Sequence, residues 1–410
     1  MRKKNVGVGA LAAVALLTAT SAHAGGLERA GYNIDLLFEP SGYAIETGLT
    51  YVNPQRKLNN VVDNPADGGN ISGRPSQGIR ATDSYLVPRV GFKASFGDAV
   101  DCIADYSEPW GAHLNQGADW AGANENIETN LKSRNYATTC SYSFDMGQGQ
   151  LRLIAGGFYQ EISGFQDRLV STAVIPLGRT GIGHLGLEGD GWGWRAGVAY
   201  EIEEYALRTS LVYNSAVDLD NITGTLNLSQ VTGAVIPVFG SASMPDSLEF
   251  KFQTGVAPGW LVFGGVKWTD WSQLQSIAFC PEATRALAAC RTNSPTEATS
   301  LDLLYRDGWA ITGGVGHKFN DQWSGAVSLT WDRGVSTGMG THTDTWTVGA
   351  GVSYAPTQNV EFRLGGALGI LTSGESRPVT IDGRTYGNRA TYDFDTDLVS
   401  AVTTSLKVKF

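Results

Sequence analysis

The 410-residue chain carries 30 Lys and Arg against 40 Asp and Glu, a net charge of -10, and 52 of its residues are glycine. That acidic balance, without a basic cluster beyond the first few residues, argues against nucleic acid as a partner. No apolar run after residue 24 is long enough for a helical span, which leaves a soluble secreted protein and a transmembrane β-barrel as the two classes open.

In chain order, Arg2, Lys3 and Lys4 precede the apolar "VGVGALAAVALLTAT", and Ala22-His23-Ala24 closes it with a small-x-small pattern. This predicts a secretory signal peptide over residues 1–24. Residues 25–42, "GGLERAGYNIDLLFEPSG", form a short segment ahead of the first strand. Period-2 alternation then begins near Tyr43, Tyr85, Ala99, Asn130, Leu151, Trp192 and Tyr205. It resumes near Ser247, Trp260, Gly308, Trp323, Asp344, Val360 and Ser400, giving roughly fourteen strands, an even number as in bacterial outer-membrane barrels. The final stretch "TTSLKVKF" puts Leu406, Val408 and Phe410 on one face and Ser405, Lys407 and Lys409 on the other. It is expected to close onto the strand that starts near Tyr43.

The connections alternate in length. Gly97-Asp98, "MGQGQ", Glu203-Glu204, Pro258-Gly259, "NDQ" and "PTQN" are tight turns. Between them lie long polar stretches at 53–83, 109–127, 164–191, 220–246, 272–307, 335–343 and 373–398. Short periplasmic turns alternating with long outer loops are the habit of an outer-membrane barrel. The faces agree: in "WSGAVSLTWD", Trp323, Gly325, Val327, Leu329 and Trp331 alternate with small and polar residues, aromatic at both ends. That is one stave of a lipid-facing band between two aromatic girdles. The expected fold is therefore an all-β transmembrane antiparallel barrel of about 14 strands over residues 43–410, integral to the bacterial outer membrane and monomeric because it closes its own edges.

Four cysteines suit an oxidising compartment. Cys280 and Cys290 share one Pro-flanked segment, and Cys102 and Cys140 fall on neighbouring strands with matching parity, so two disulfides are expected, although four cysteines allow three pairings. "GIGHLG" at 181–186 lacks the βαβ setting of a dinucleotide site, and "GVSTG" around Ser336 joins two strands where a nucleophile elbow needs a helix. His113, His184, His317 and His342 show no metal-ligand spacing. Asp393, Asp395 and Asp397 alternate on one face and could hold a cation, although a solvated lumen face explains them as well. The sequence thus offers no catalytic residue, metal site or cofactor site; only loop His and Ser residues would support a hydrolase.

The stretches "GDGWGWRAGVAYEIEEYALRTSLVYNSAVDLDNITG", "LEFKFQTGVAPGWLVFGGVKWTDWSQLQ" and "YRDGWAITGGVGHKFNDQWSGAVSLTWDRG" resemble successive hairpins of the FadL family, outer-membrane transporters of long-chain fatty acids and other hydrophobic compounds. The resemblance implies an amino-terminal segment that plugs the lumen as a hatch, here the short 25–42. It implies capture of hydrophobic substrate by the outer loops and passive, sideways release through a gap where the third strand kinks. Pro109, Trp110 and Gly111 match that gap, since proline lacks a ladder donor and glycine weakens the strand; Pro109 could equally just end the strand. The family's Asn-Pro-Ala motif is missing from the hatch, because Asn64-Pro65-Ala66 follows the first strand.

Strand parity points Arg89, Lys93, Arg195, Arg208, Lys251 and Arg363 inward, where a fatty acid carboxylate would need a cation. Leu36, Leu37 and Phe38 of the hatch offer apolar contact, and Val235, Ile236 and Phe239 lie in "VTGAVIPVFG", an outer segment apolar enough to be a capture groove or to pack on its neighbours. Expected partners are hydrophobic small molecules such as fatty acids, outer-membrane lipids and lipopolysaccharide, and the barrel assembly machinery, which reads the terminal aromatic strand. A general polar porin or a structural barrel is the alternative.

Overall fold

Residues 26–64, 71–171 and 180–410 are described by a computed structural model. The expected signal peptide lies outside the described residues, as do Pro65 and Ala66. Among the described residues, fourteen strands close one antiparallel ring. They are β1 (Tyr43–Pro54), β2 (Tyr85–Phe96), β3 (Val100–Ser107), β4 (Glu128–Met146), β5 (Gly149–Ser171), β6 (Thr180–Ile202) and β7 (Leu207–Asn214). The ring continues through β8 (Ser247–Ala257), β9 (Trp260–Thr269), β10 (Gly308–Lys318), β11 (Trp323–Asp332), β12 (Thr345–Tyr354), β13 (Val360–Leu371) and β14 (Asp397–Lys409). Closure is made by β14 on β1, in register from Ala44↔Lys409 to Pro54↔Val399. No described helix is long and apolar enough to cross a membrane; the crossing is made by strands.

Within the membrane layer the strands follow from their alternation. On β11, Val327 and Leu329 are half exposed to the outside, while Ser328 and Thr330 are buried toward the lumen. Trp323 stacks on Tyr354 at one end of that hairpin, with centroids 4.5 Å apart, and Trp331 meets Trp346 at the other. Trp331 Nε1 donates to Asp344 and Trp268 Nε1 to Asp307, so each indole keeps its apolar body outward and its polar edge on a loop carboxylate. At ten residues each, β11 and β12 are long enough for the hydrocarbon layer and no longer. The tight turns fall where expected; Gly97, Gly147 and Gly259 supply their positive φ values of 68°, 65° and 74°.

The outer side differs from the expectation of loops. Strands β5 and β6 run 23 residues each, so most of the stretch 164–191 is ladder, and "GIGHLG" lies within β6. Likewise 220–246 is largely a hairpin, Val217–Leu228 with Ala234–Met244, laid against the upper part of β6. Above the bilayer neither face of a strand meets lipid, so the clean alternation that marks the lower staves disappears. Glycine there serves close approach: a Cβ at Gly224 would collide with the Gly186 carbonyl across the ladder.

Cys102 and Cys140 are directly opposed on β3 and β4 and form a disulfide, with Cα atoms 4.0 Å apart. Cys280 and Cys290 close a second, across ten residues of the outer region. Both pairs are those expected from spacing and parity.

One outer segment holds a buried histidine. His342, between β11 and β12, sits against the Tyr305 ring, and its Nδ1 has no partner. Burial, reinforced by Arg56, lowers its pKa from 6.5 to about 4. Unfolded chains take up this proton below pH 6.5 and the folded one does not, so the segment is fully stable above that pH. Between pH 6.5 and 4 it is expected to loosen by at most about 3 kcal/mol. Hydrogen exchange over 333–343 at pH 7 and pH 4.5 checks this, and His342→Phe should remove the pH dependence.

Candidate functional site

Strand β3 is where the wall fails. Its pairing to β2 ends at Arg89↔Ser107. The chain then passes through Glu108, Pro109 and Trp110, and pairing resumes on β4 as Gly111–Asn115. The β2 side is next met at Asp83, whose N–H donates to the His113 carbonyl at 3.0 Å, and in the bridge Thr82↔Leu114. Among the described residues, Tyr85–Pro88 therefore have β1 on one side and no third-strand partner on the other. Pro109 does not simply end the strand; it sits in an interruption between two paired stretches. The absent proline donor gives a physical reason for the ladder to open here.

The backbone of the amino-terminal segment lies behind this break. Gly111 N–H donates to the Leu27 carbonyl at 2.7 Å and Arg29 N–H to the Pro109 carbonyl at 2.9 Å. From there the segment runs down the inward side of the ring. Leu36 and Leu37, in a short 3₁₀ turn, pack with Ile34 against Ala44, Ile103, Ile154, Ala199 and Val212 from five different strands. Phe38 lies under the guanidinium of Arg208 at 4.5 Å. Three carboxylates tie the segment to wall lysines: Glu28 to Lys267, Asp35 to Lys251 at 3.2 Å, and Glu39 to Lys407 at 2.7 Å. Each acid is matched by a cation projecting from a different strand, so the segment is keyed to the ring electrostatically as well as by its leucines.

A cavity of about 240 Å³ lies between the segment and the wall, lined by Arg29, Asn33, Val87, Arg89, Lys251 and Arg363 among others. That is slightly below the ~300 Å³ at which ordinary small-molecule pockets begin. Of the six cations expected to face inward, Arg89, Lys251 and Arg363 line the cavity. Arg89 and Arg363 share Glu46, at 3.8 and 3.5 Å. Lys93 lies lower, on Asp101 at 2.8 Å and the Ser41 carbonyl at 2.9 Å. Arg208 donates to Gln253 at 3.2 Å, and Arg195 donates to Thr139 at 3.2 Å while stacking between Tyr32 and Phe158.

Above the cavity the lumen is filled by an apolar cluster. Trp110 is wholly buried, edge-on to Tyr32 at 5.6 Å and to Trp271 at 5.2 Å. Its Nε1 and the Tyr32 hydroxyl both donate to Gln160. This apolar cluster continues without a gap into the outer hairpin through Leu185, Leu226 and Val238, with Ile236 packed on its flank. Phe239 is buried beneath Arg285 at 4.2 Å, and Val235 is exposed. A second cavity of about 100 Å³ lies higher, among Val170, Leu185, Leu226 and Leu228.

Sequence reasoning missed Arg29, Tyr32, Gln160, Lys267 and Trp271. Lys267 was legible by the parity of β9 and Gln160 by that of β5, whose Arg152, Ile154 and Phe158 share its buried face; the others stand in irregular stretches. The remaining chemistry-bearing residues are engaged locally. Ser336 donates to the Met339 carbonyl at 2.6 Å, His184 meets Asp167 at 2.6 Å, and His113 lies beside Asp83 and Glu128. Asp393, Asp395 and Asp397 accept from Asn60, Asn59 and the Lys57 N–H respectively. Among the described residues no cluster of three or more His, Cys, Asp or Glu is arranged to hold a metal.

A closed antiparallel ring with two aromatic girdles, short turns on one side and tall hairpins on the other defines an integral β-barrel of the outer-membrane type. The family described as outer membrane protein transport protein (OMPP1/FadL/TodX) matches residues 33–333, and the chain belongs to that family. It is 25% identical over 299 residues to the long-chain fatty acid transport protein of Salmonella typhi, covering 64% of this chain and 65% of that protein's length. It is 24% identical over 327 residues to the long-chain fatty acid transport protein of Escherichia coli K12, covering 70% of this chain and 68% of the relative. Among solved structures, a Pseudomonas aeruginosa FadL homologue superposes with a TM-score of 0.74 at 13% identity, covering 92% of each chain. The Pseudomonas putida toluene transporter TodX does so with 0.60 at 16% identity, covering 96% of this chain and 98% of that one.

Proposed function

We propose that this barrel is a passive outer-membrane transporter of long-chain fatty acids or other hydrophobic compounds, which its outer hairpins capture and which leave sideways through the break in β3. The observation that carries the reading is that break, with a cavity directly behind it and the Tyr85–Pro88 edge unpaired. An apolar solute gains about 0.8 kcal/mol per methylene on leaving water, so a dry route toward the bilayer needs no energy source. The cavity among Val170, Leu185, Leu226 and Leu228 offers a first stop, and the cluster around Trp110 leads down to the break. Segment 26–42 serves as the hatch. Its ion pairs and leucines, together with the apolar cluster above, fill space that a general polar porin would leave to water.

The same reading is consistent with the names of the relatives, which are fatty acid and toluene transporters. It makes the chain a carrier protein without catalysis. Membrane lipids and lipopolysaccharide would meet the girdles, and the assembly machinery would read the last strand. Deleting the gene should abolish saturable uptake of labelled oleate, and the intact gene on a plasmid should restore it. Unchanged oleate uptake with loss of small polar solutes would favour the porin instead.

A further inference from the structure

Among the cations that line the cavity, Arg29 is the odd one. Lys251 and Lys267 are answered by Asp35 and Glu28 of the same amino-terminal segment, and Arg89 and Arg363 by Glu46. Arg29 is 6% exposed, yet its Nε has no hydrogen-bond partner and no described carboxylate lies within ion-pair distance. Its position is fixed by its surroundings. The guanidinium lies over the Tyr85 ring at 4.5 Å, and its Nε would stand 2.5 Å from a Cβ added at Gly111. It thus occupies the break itself, between the unpaired end of β2 and the resumed third strand. Glu108, whose field reaches it, already accepts the Tyr106 hydroxyl at 3.0 Å.

A buried guanidinium without an acceptor is costly, and a planar carboxylate is the group that its fork geometry suits best. We propose that Arg29 seats the carboxylate of an amphiphilic substrate at the wall break, so that the preferred cargo is a hydrophobic carboxylate and not a neutral hydrocarbon. This deepens the transport reading above and rests on it. With the head group on Arg29, Val87 and Pro88 of the cavity wall border the opening through which the tail extends toward the bilayer. The glycine at 111 leaves the guanidinium its place, since any side chain there would press on Arg29 and on the Leu131 carbonyl.

The test uses the full-length protein in lipid nanodiscs, with oleate and oleyl alcohol as probes of equal tail. The wild type should bind oleate more tightly than the alcohol. Arg29→Gln should weaken oleate by about tenfold to a hundredfold, the loss of a hydrogen-bonded charged partner, and leave the alcohol unchanged. Arg29→Lys, which keeps the charge but not the fork, should retain part of the preference and controls for folding. An Arg29→Gln protein that keeps the wild-type oleate-to-alcohol ratio overturns the assignment while leaving the transport reading standing. A wild type that binds neither probe overturns both.

Discussion

Trp110→Ala is expected to destabilise the region around the wall break by about 3–5 kcal/mol. Three consequences add. The indole fills the centre of the apolar cluster, touching both Tyr32 on the amino-terminal segment and Trp271 on the opposite side of the lumen. Its removal leaves a void walled by large rings that cannot collapse into it, because each is fixed by its own backbone. It also strips Gln160 of one of its two donors. The readouts are urea unfolding followed by heat-modifiable gel mobility, and protease sensitivity of residues 26–42. Because the wall segment and the amino-terminal segment are bridged at Glu28↔Trp110, both should loosen together. Unchanged protection of residues 26–42 would mean that the segment is held by its lower contacts alone.

Lys407→Met is the second large effect, about 3–5 kcal/mol of lost stability. Lys407 and Glu39 are each only 6% exposed, and Lys407 also stands 3.4 Å from Glu361. Deleting the cation leaves two carboxylates facing each other in a closed space, with only Lys409 and Arg363 to offset them. The penalty is the stranded charge more than the lost pair, so Glu39→Gln introduced together with Lys407→Met should recover much of it. Lys318→Met is the comparison, because its partner Asp321 is almost fully in water and its loss should not shift the unfolding midpoint. Equal effects from the two lysines would show that the ring does not dock the segment electrostatically.

The part of this architecture that could be read from the residues is the part the membrane dictates. Lipid outside and a closed lumen inside force strict period 2 on stretches such as Trp323–Asp332, and the same strictness exposed the inward cations and the disulfide partners. Outside the bilayer that constraint ends. The upper halves of β5 and β6 look like loops because water, protein and glycine-lined contacts replace lipid on their faces. The site divides the same way. Arg89, Lys251 and Arg363 follow from parity, but their engagement with acids of the protein itself does not, since Glu46 sits on one strand and Asp35 on an irregular segment. Pro109 announces an irregularity in β3. Whether the ladder stops or resumes beyond it depends on residues 128–132, far away in sequence.

The Cys102–Cys140 disulfide constrains how such a wall can move. It joins β3 to β4 near the foot of both strands, and adjoining pairs such as Ile103↔Thr139 fix their register. While it is intact, β3 cannot slide along β4 by even one residue, a step that would turn every lumen-facing side chain to the lipid. The break therefore cannot widen by β3 slipping along β4, and any movement there leaves the two strands joined at their foot, like a door pinned at its lower hinge and not a sash drawn past its frame.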